Sequence, residues 1–337
     1  MSSPDPFLLP GQFAIQTFLS ETFLTAVAGG GRIANAVHVN GTVVGPTEKF
    51  RLWASSTRQH THENPEGFLQ YAIQTENGTY ITAVGGGGRS SDVLHTDATL
   101  PSTWEQFGLI PQVSQLSIYP STYDMRHSSP WYYAIATNTG NYLTALGGGG
   151  HTDPSMHSDA TKIGAWELFR LIKCGELMSG YQYAIRPVEG YTMGAEDGGG
   201  KFTKGLSLGY ARSIEDASVE KLRLIEQTDG SYAIQTPSGN YVTAVAGGGI
   251  PAVDKELGSA ADVFHTNAVQ VQSWEKFRIL DQGDGTYVIR TNSGWYIGTF
   301  VESTGFELAF LRTDIEGVEN ATKFRISPLF DENLVFP

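Results

Sequence analysis

Short stretches of alternating apolar and polar residues recur along the chain, each bounded by Gly-containing turns. Tyr71-Ala-Ile-Gln-Thr sets Tyr71, Ile73 and Thr75 on one face and Ala72 and Gln74 on the other. That is the period-two pattern of a half-buried strand. The block returns as Tyr133-Ala-Ile-Ala-Thr and Tyr232-Ala-Ile-Gln-Thr, with weaker copies at Phe13, Tyr183 and Tyr287; the six anchors lie 58, 62, 50, 49 and 55 residues apart. A second block follows, Tyr80-Ile-Thr-Ala, Tyr142-Leu-Thr-Ala and Tyr241-Val-Thr-Ala. Asn77-Gly78, Thr139-Gly140 and Ser238-Gly239 separate the two blocks and predict hairpin turns, where Gly supplies positive φ. Gly runs come next, at Gly85–Gly88, Gly147–Gly150 and Gly247–Gly249. Then come His95-Thr-Asp-Ala, His157-Ser-Asp-Ala and His265-Thr-Asn-Ala, and finally Trp104-Glu-Gln-Phe, Trp166-Glu-Leu-Phe and Trp274-Glu-Lys-Phe, with His and Trp nine residues apart in every copy. Six repeats of four strands predict 24 strands in an all-β chain.

Composition narrows the class. The chain has 337 residues, 40 Gly and 17% charged residues, which suits many short strands and excludes a coiled coil. No run of 18 apolar residues exists, so no membrane helix is expected. Met1–Gly11 lacks the basic n-region and long apolar core of a secretory signal. Cys174 is the only cysteine, which rules out an intrachain disulfide and a thiolate zinc cluster. A cytoplasmic location is the expectation. The net charge of −13 repels phosphate backbones and anionic membrane surfaces, so neither nucleic acid nor membrane is an expected partner.

A four-stranded repeat of about 50 residues fits a propeller blade or one third of a β-trefoil. The residues favour the second. An aromatic-x-Ile strand, then Gly-x-Tyr-Leu-Thr-Ala, then a Trp-Glu-x-Phe strand resembles the fascin-like β-trefoil repeat, from Phe13 to about Ile326. The resemblance implies two tandem β-trefoils, residues 1–177 and 178–337, with a short join at Lys173–Gly180. It also implies that strands one and four of each repeat build a barrel, while strands two and three cap one end.

The repeated residues read first as architecture. Trp104, Trp166 and Trp274, beside Phe107, Phe169 and Phe277, are expected to pack in the core or at a barrel end, with sugar platforms as the alternative. Glu105, Glu167 and Glu275 follow those Trp residues and should point to the opposite face. His95, His157 and His265 are expected to stabilise turns, with Asp97 and Asp159 as local acceptors. The Gly runs are turns; no Lys-Ser/Thr follows them, so they are not phosphate loops. An α/β-hydrolase nucleophile elbow is not expected. Asn40, Asn77 and Asn320 stand in glycosylation sequons, which matter only in a secreted chain.

Departures from the repeat point to function. An insertion of about Ala54–Leu69 separates repeats one and two, and another of about Val113–Tyr132 separates repeats two and three. In the resembled fold both converge with Phe7–Gln12 above the open end of the first barrel. They would bring together His60, His62, Glu63, Asp124 and His127 as candidate acid–base groups, with Tyr119, Tyr123, Arg126 and Trp131 to hold a ligand. The plainer alternative is that the loops clamp the second trefoil or plug the barrel. His60-x-His62 with Glu63 has a metal-like spacing without a fixed third ligand, and no metal or cofactor is expected. In repeat four, Glu196 and Asp197 replace the apolar-Gly pair before the Gly run and suit sugar hydroxyls or a cation. In repeat six, Gly298-Thr-Phe-Val-Glu302 replaces the Gly run. Arg186 and Arg290 replace Gln at one strand position and are expected to make a lobe-to-lobe ion pair.

Three functions compete. A non-catalytic, lectin-like carbohydrate-binding protein leads, although the Gln-x-Trp motif of ricin-type lectins is absent. An enzyme acting on a small molecule in the insertion-loop pocket is the alternative, with the His residues as general bases. Actin binding or bundling is what the fascin resemblance implies, against the repulsion of a −13 chain.

Overall fold

The computed structural model describes residues 7–59, 68–113, 131–209, 218–254, 259–303 and 307–330. Each repeat contributes four strands. In repeat one they are Gln12–Thr17, Phe23–Ala26, Val37–Gly41 and Arg51–Gln59. Repeat two has Phe68–Gln74, Tyr80–Ala83, Leu94–Ala98 and Gln106–Val113; repeat three has Trp131–Ala136, Tyr142–Ala145, Met156–Ala160 and Leu168–Cys174. Repeat four has Gln182–Pro187, Thr192–Ala195, Leu206–Gly209 and Leu222–Glu226. Repeat five has Tyr232–Gln235, Tyr241–Ala244, Phe264–Ala268 and Lys276–Asp281; repeat six has Tyr287–Thr291, Tyr296–Ser303, Glu307–Ile315 and Phe324–Pro328. Two additions lie outside the pattern. Phe7–Leu8 pairs with the Arg51–Gln59 strand, and a small hairpin of Val253–Asp254 and Ser259–Ala260 is inserted in repeat five.

First and fourth strands close two six-stranded barrels. In the first, Tyr133 opposes Phe169, Tyr71 opposes Phe107, and a bridge from Phe13 to Phe50 completes the ring. In the second, Tyr183 opposes Leu222, Tyr232 opposes Phe277, and Tyr287 opposes Phe324. Each aromatic anchor of the sequence pattern thus meets the opening of its own repeat's fourth strand. That pairing explains why the two blocks recur together. Second and third strands form the hairpins of the cap. The fold is all-β, two tandem β-trefoils.

The cap of the first lobe is a closed ring. The Gly turn of each repeat bonds the middle residue of the next repeat's third strand through both backbone groups. Gly31 N donates to Thr96 O and Thr96 N to Arg32 O; Gly88 N donates to Ser158 O and Ser158 N to Arg89 O; Gly150 N donates to Val39 O and Val39 N to His151 O. The turn must approach the neighbour closely: a Cβ on Gly87, at φ +110, would lie 2.2 Å from Thr137 Oγ1.

Trp and Glu exchange the places that hydrophobicity alone would give them. Trp104, Trp166 and Trp274 are 48%, 45% and 49% exposed, so the expectation of core packing is corrected; the Trp104 and Trp274 rings lie against the Gly turns of their own repeats, at Gly86 and Gly247. Glu105, Glu167 and Glu275 are buried, on the opposite face as expected. Glu105 accepts from Thr82 Oγ1 at 2.7 Å and from Ser102 N at 2.7 Å. Glu167 does the same with Thr144 and Gly164, and Glu275 with Thr243 and Gln272. A buried carboxylate is tolerable when its oxygens are filled this way, and here it ties the third-to-fourth strand turn to the second strand.

The lobes plug one another. Phe330, beyond the last strand of the second lobe, enters the first barrel among its three anchors, with ring centroids 6.2 Å from Phe13, 5.7 Å from Tyr71 and 6.2 Å from Tyr133. Tyr133 Oη donates to Pro328 O at 3.0 Å and accepts from Phe330 N at 2.8 Å. In the second barrel, Tyr183 Oη accepts from Met178 N and Tyr287 Oη donates to Gly175 O, both at 2.8 Å. The joining segment Gly175–Met178 therefore does for the second barrel what Phe330 does for the first.

Candidate functional site

Most of the expected acid–base and ligand residues, His60, His62, Glu63, Tyr119, Tyr123, Asp124, Arg126 and His127, lie outside the described residues. Trp131, at the foot of the second insertion, is buried against Ala184 and Leu329 of the second lobe, with Lys221 Nζ 5.1 Å from its ring centroid. Its surroundings are a lobe-to-lobe contact.

Glu196 and Asp197 stand at the rim of a cleft of about 570 Å³ on the cap of the second lobe. Its position follows from the ring just described. Gly200 N donates to Thr266 O and Thr266 N to Lys201 O; Gly249 N donates to Thr313 O and Thr313 N to Ile250 O. The third crossing, from repeat six to Leu208 of repeat four, has no Gly run to make it. Phe300–Ser303 instead continues the ladder against Glu307–Phe310. Among the described residues the ring stays open there, and Leu208 lines the cleft.

All three repeats of the second lobe build this cleft with the parts that depart from the consensus. Repeat four supplies Glu196, Asp197, Lys201, Thr203 and Lys204 along one rim, and Leu206, Ser207 and Leu208 along a wall. Repeat five supplies Ala252 and Ala261, bonded to each other at the base of its inserted hairpin, with Val263 and Phe264 beneath. Repeat six supplies Ala309, Phe310 and Leu311 opposite. Leu206, Val263, Phe264 and Leu311 are buried and make an apolar floor; Phe310 is half-buried. Asp197 takes φ +49, the left-handed position that Gly85 and Gly147 occupy in repeats two and three, and its carboxylate pairs with Lys201 Nζ. Ala28 and Ala246 adopt the same conformation in repeats one and five, so the turn tolerates a side chain there. The hydrogen bond from Lys201 to Asp197 holds the ammonium above the usual lysine range. The result is an apolar trough with cationic, anionic and hydroxyl groups at its lip.

Ser207 belongs to a motif that reading by repeats hides. Gly205-Leu206-Ser207-Leu208-Gly209 has the Gly-x-Ser-x-Gly spacing of a nucleophile elbow. The structure places Ser207 inside a strand paired with Thr192–Ala195, not at a strand-to-helix turn, so the elbow itself is absent.

The remaining candidates are architectural. His95 Nε2 lies 2.7 Å from Asp92 Oδ1 and His265 Nε2 lies 2.8 Å from Asp262 Oδ2, so these turns use an acid three residues upstream; His157 lies 3.8 Å from the expected Asp159. Arg186 reaches Glu21 of the first lobe at 3.1 Å, the expected lobe-to-lobe pair. Arg290 does not join it; its guanidinium lies 6.0 Å from the Tyr296 ring centroid.

Barrel, cap and cleft define the chain as a tandem β-trefoil protein with an asymmetric cleft on its second lobe. No protein-family model matches it, and no curated protein matches it. Among solved structures, a mosquitocidal holotoxin aligns with 95% of this chain at 10% identity and TM-score 0.34; the chain spans about a third, 34%, of that toxin's length. A designed three-fold symmetric protein, ThreeFoil, aligns with 44% of this chain over 98% of its own, at 16% identity and TM-score 0.34. The Haemophilus ducreyi cytolethal distending toxin aligns with 49% over 95% of its own, at 11% identity and TM-score 0.33.

Proposed function

We propose that this is a non-catalytic binding protein whose ligand is a carbohydrate, held in the cleft of the second lobe. The observation that carries the reading is the convergence of three independent departures from the repeat on one amphipathic trough. A sugar presents an apolar face of C–H groups and a rim of hydroxyls. Phe310 and the floor suit the first; Glu196, Asp197, Lys201 and Ser207 suit the second. Carboxylate oxygens at an exposed rim accept hydrogen bonds and are fitted to hydroxyl donors. The fascin-like kinship of the repeat belongs to the same reading, with actin as the protein partner to assay beside the glycans.

The test is a glycan array with the purified chain, with and without EDTA. Binding at micromolar affinity or better, lost on Phe310→Ala and on Asp197→Ala while His95→Ala leaves it unchanged, supports the cleft. A blank array refutes the carbohydrate reading, and binding that survives both cleft substitutions refutes the location.

A further inference from the structure

The hairpin between the first two strands of repeat six gives up hydrogen bonds that its counterparts keep. Repeats three and five carry Thr137-Asn-Thr-Gly-Asn141 and Thr236-Pro-Ser-Gly-Asn240 at this place. In repeat three the Thr137 and Thr139 hydroxyls lie 3.2 Å apart, Thr139 Oγ1 donates to Asn141 Oδ1 at 3.0 Å, and Asn141 Nδ2 donates to Asp159 O at 3.3 Å. Repeat five makes the same network with Thr236, Ser238 and Asn240, the last reaching Asn267 O. Repeat six reads Thr291-Asn-Ser-Gly-Trp295, with Trp in the place of the bonded Asn. Thr291 is 1% exposed and its Oγ1 has no hydrogen-bond partner among the described residues. Ser293 Oγ turns away from it to Gly247. A buried hydroxyl without a partner costs stability, so the hairpin is not the reason for Trp295.

Trp295 places a second indole on one turn. A Cβ on Gly249 would lie 3.2 Å from Trp295 Nε1, and a Cβ on Gly247 would lie 3.2 Å from Trp274 Nε1. Trp274 is 49% exposed and Trp295 is half-buried. The equivalent turn of repeat two carries Trp104 at Gly86 and Asn141 at Gly88, one ring and one amide. Both indoles of the Gly247–Gly249 turn point the N–H edge at the glycines, so apolar ring is what they offer outward. Asn292 and Ser293 are exposed beside them. None of these residues lines the cleft.

We propose that Trp274 and Trp295 form a second carbohydrate site, which stacks the rings of a β-linked glucose or N-acetylglucosamine oligosaccharide. A pyranose with its ring substituents equatorial presents a flat C–H face, and successive β-linked rings present such faces in a row to successive platforms. The Ser293 hydroxyl and the Asn292 amide supply donors and acceptors for the sugar hydroxyls. A proline-rich peptide also docks on paired aromatics, but the N–H groups that would meet its carbonyls face the turn. The net charge of −13 disfavours a nucleic acid. The site goes beyond the cleft reading and does not rest on it.

The full chain is titrated by isothermal calorimetry with cellotetraose, chitotetraose and decaproline. Saturable binding of at least one of the two sugars is expected, with Kd of about 1 mM or tighter. Trp295→Asn should weaken it about tenfold or more, whereas Trp295→Phe retains most of it. Trp295→Asn copies the hairpin of repeat five, so its Tm should not fall below native and the lost binding is not lost folding. If it does fail to fold, Trp274→Ala, which strips a half-exposed ring, reads the same site. Trp104→Ala should leave the affinity unchanged. No saturable heat from either sugar overturns the proposal, as does binding of decaproline in their stead. Binding that Trp295→Asn retains also overturns it; if Phe310→Ala then abolishes that binding, the sugar lies in the cleft and the earlier reading stands alone.

Discussion

Removing the ring of Phe330 tests whether the second lobe completes the first. Phe330→Ala deletes a side chain that is 4% exposed and packed among Phe13, Tyr71 and Tyr133. Loss of a buried Phe costs about 4 kcal/mol when the surroundings cannot collapse, and a closed barrel of hydrogen-bonded strands collapses poorly. The unfolding entropy near Tm is about 2.1 cal/mol/K per residue, so a 337-residue cooperative unit loses about 6 °C. If the first 177 residues melt as a separate unit, the same 4 kcal/mol lowers that transition by about 11 °C and leaves the other in place. Differential scanning calorimetry reads both numbers. Phe330→Leu should fall between the native chain and Phe330→Ala. A Tm within about 1 °C of native for Phe330→Ala would refute the plug, since no buried aromatic in such contacts is that inexpensive to remove.

Glu105→Ala should cost more stability than Trp104→Ala, about 2–4 against about 1 kcal/mol in urea unfolding, because the first strands buried Thr82 while the second strips a half-exposed ring; the reverse order would show that the Trp ring carries the turn. Lys173, buried with its Nζ donating to Pro10 O at 2.6 Å, is pushed down to about 8 by desolvation. A folded pKa below the unfolded value means that stability falls as pH drops from the unfolded lysine range toward 8, so the native chain should gain stability from pH 8 to 9.5, and Lys173→Met should flatten that slope. Glu21 obeys the same sign in the acid range: burial raises its carboxyl, the attraction of Arg186, Arg170 and Arg325 outweighs this, and its contribution should disappear as pH falls through its lowered pKa, an effect missing in Glu21→Gln.

The strands were legible because a barrel position repeated six times leaves a mark six times. Tyr71, Tyr133, Tyr183, Tyr232 and Tyr287 share one environment, so one pattern finds them all. Phe330 left no such mark: it occurs once and meets Tyr133 across 197 residues. The exposure of Trp104 was hidden for another reason. Hydrophobicity ranks Trp above Glu, but Glu105 has two donors waiting for it in the interior, and satisfied hydrogen bonds outweigh side-chain preference. Glu196 and Asp197 stood out in the sequence as departures, as did the missing Gly run of repeat six. Their meeting did not, because it depends on a crossing that repeat six does not make, between Leu208 and a hairpin about a hundred residues later. Ser207 was missed because it stands where the other repeats place His or Arg, so the repeat pattern does not single it out.

The exchange of plugs has a consequence for synthesis. On the ribosome the strands of the first barrel are complete when Cys174 has emerged, yet the ring that fills its centre arrives 156 residues later. At about 5–20 residues per second the barrel waits roughly 8–31 s with its aromatic anchors unfilled. The second barrel never waits, since Gly175–Met178 precedes it. The amino-terminal half is therefore the vulnerable nascent species, and the first barrel is filled only when Phe330 has been made.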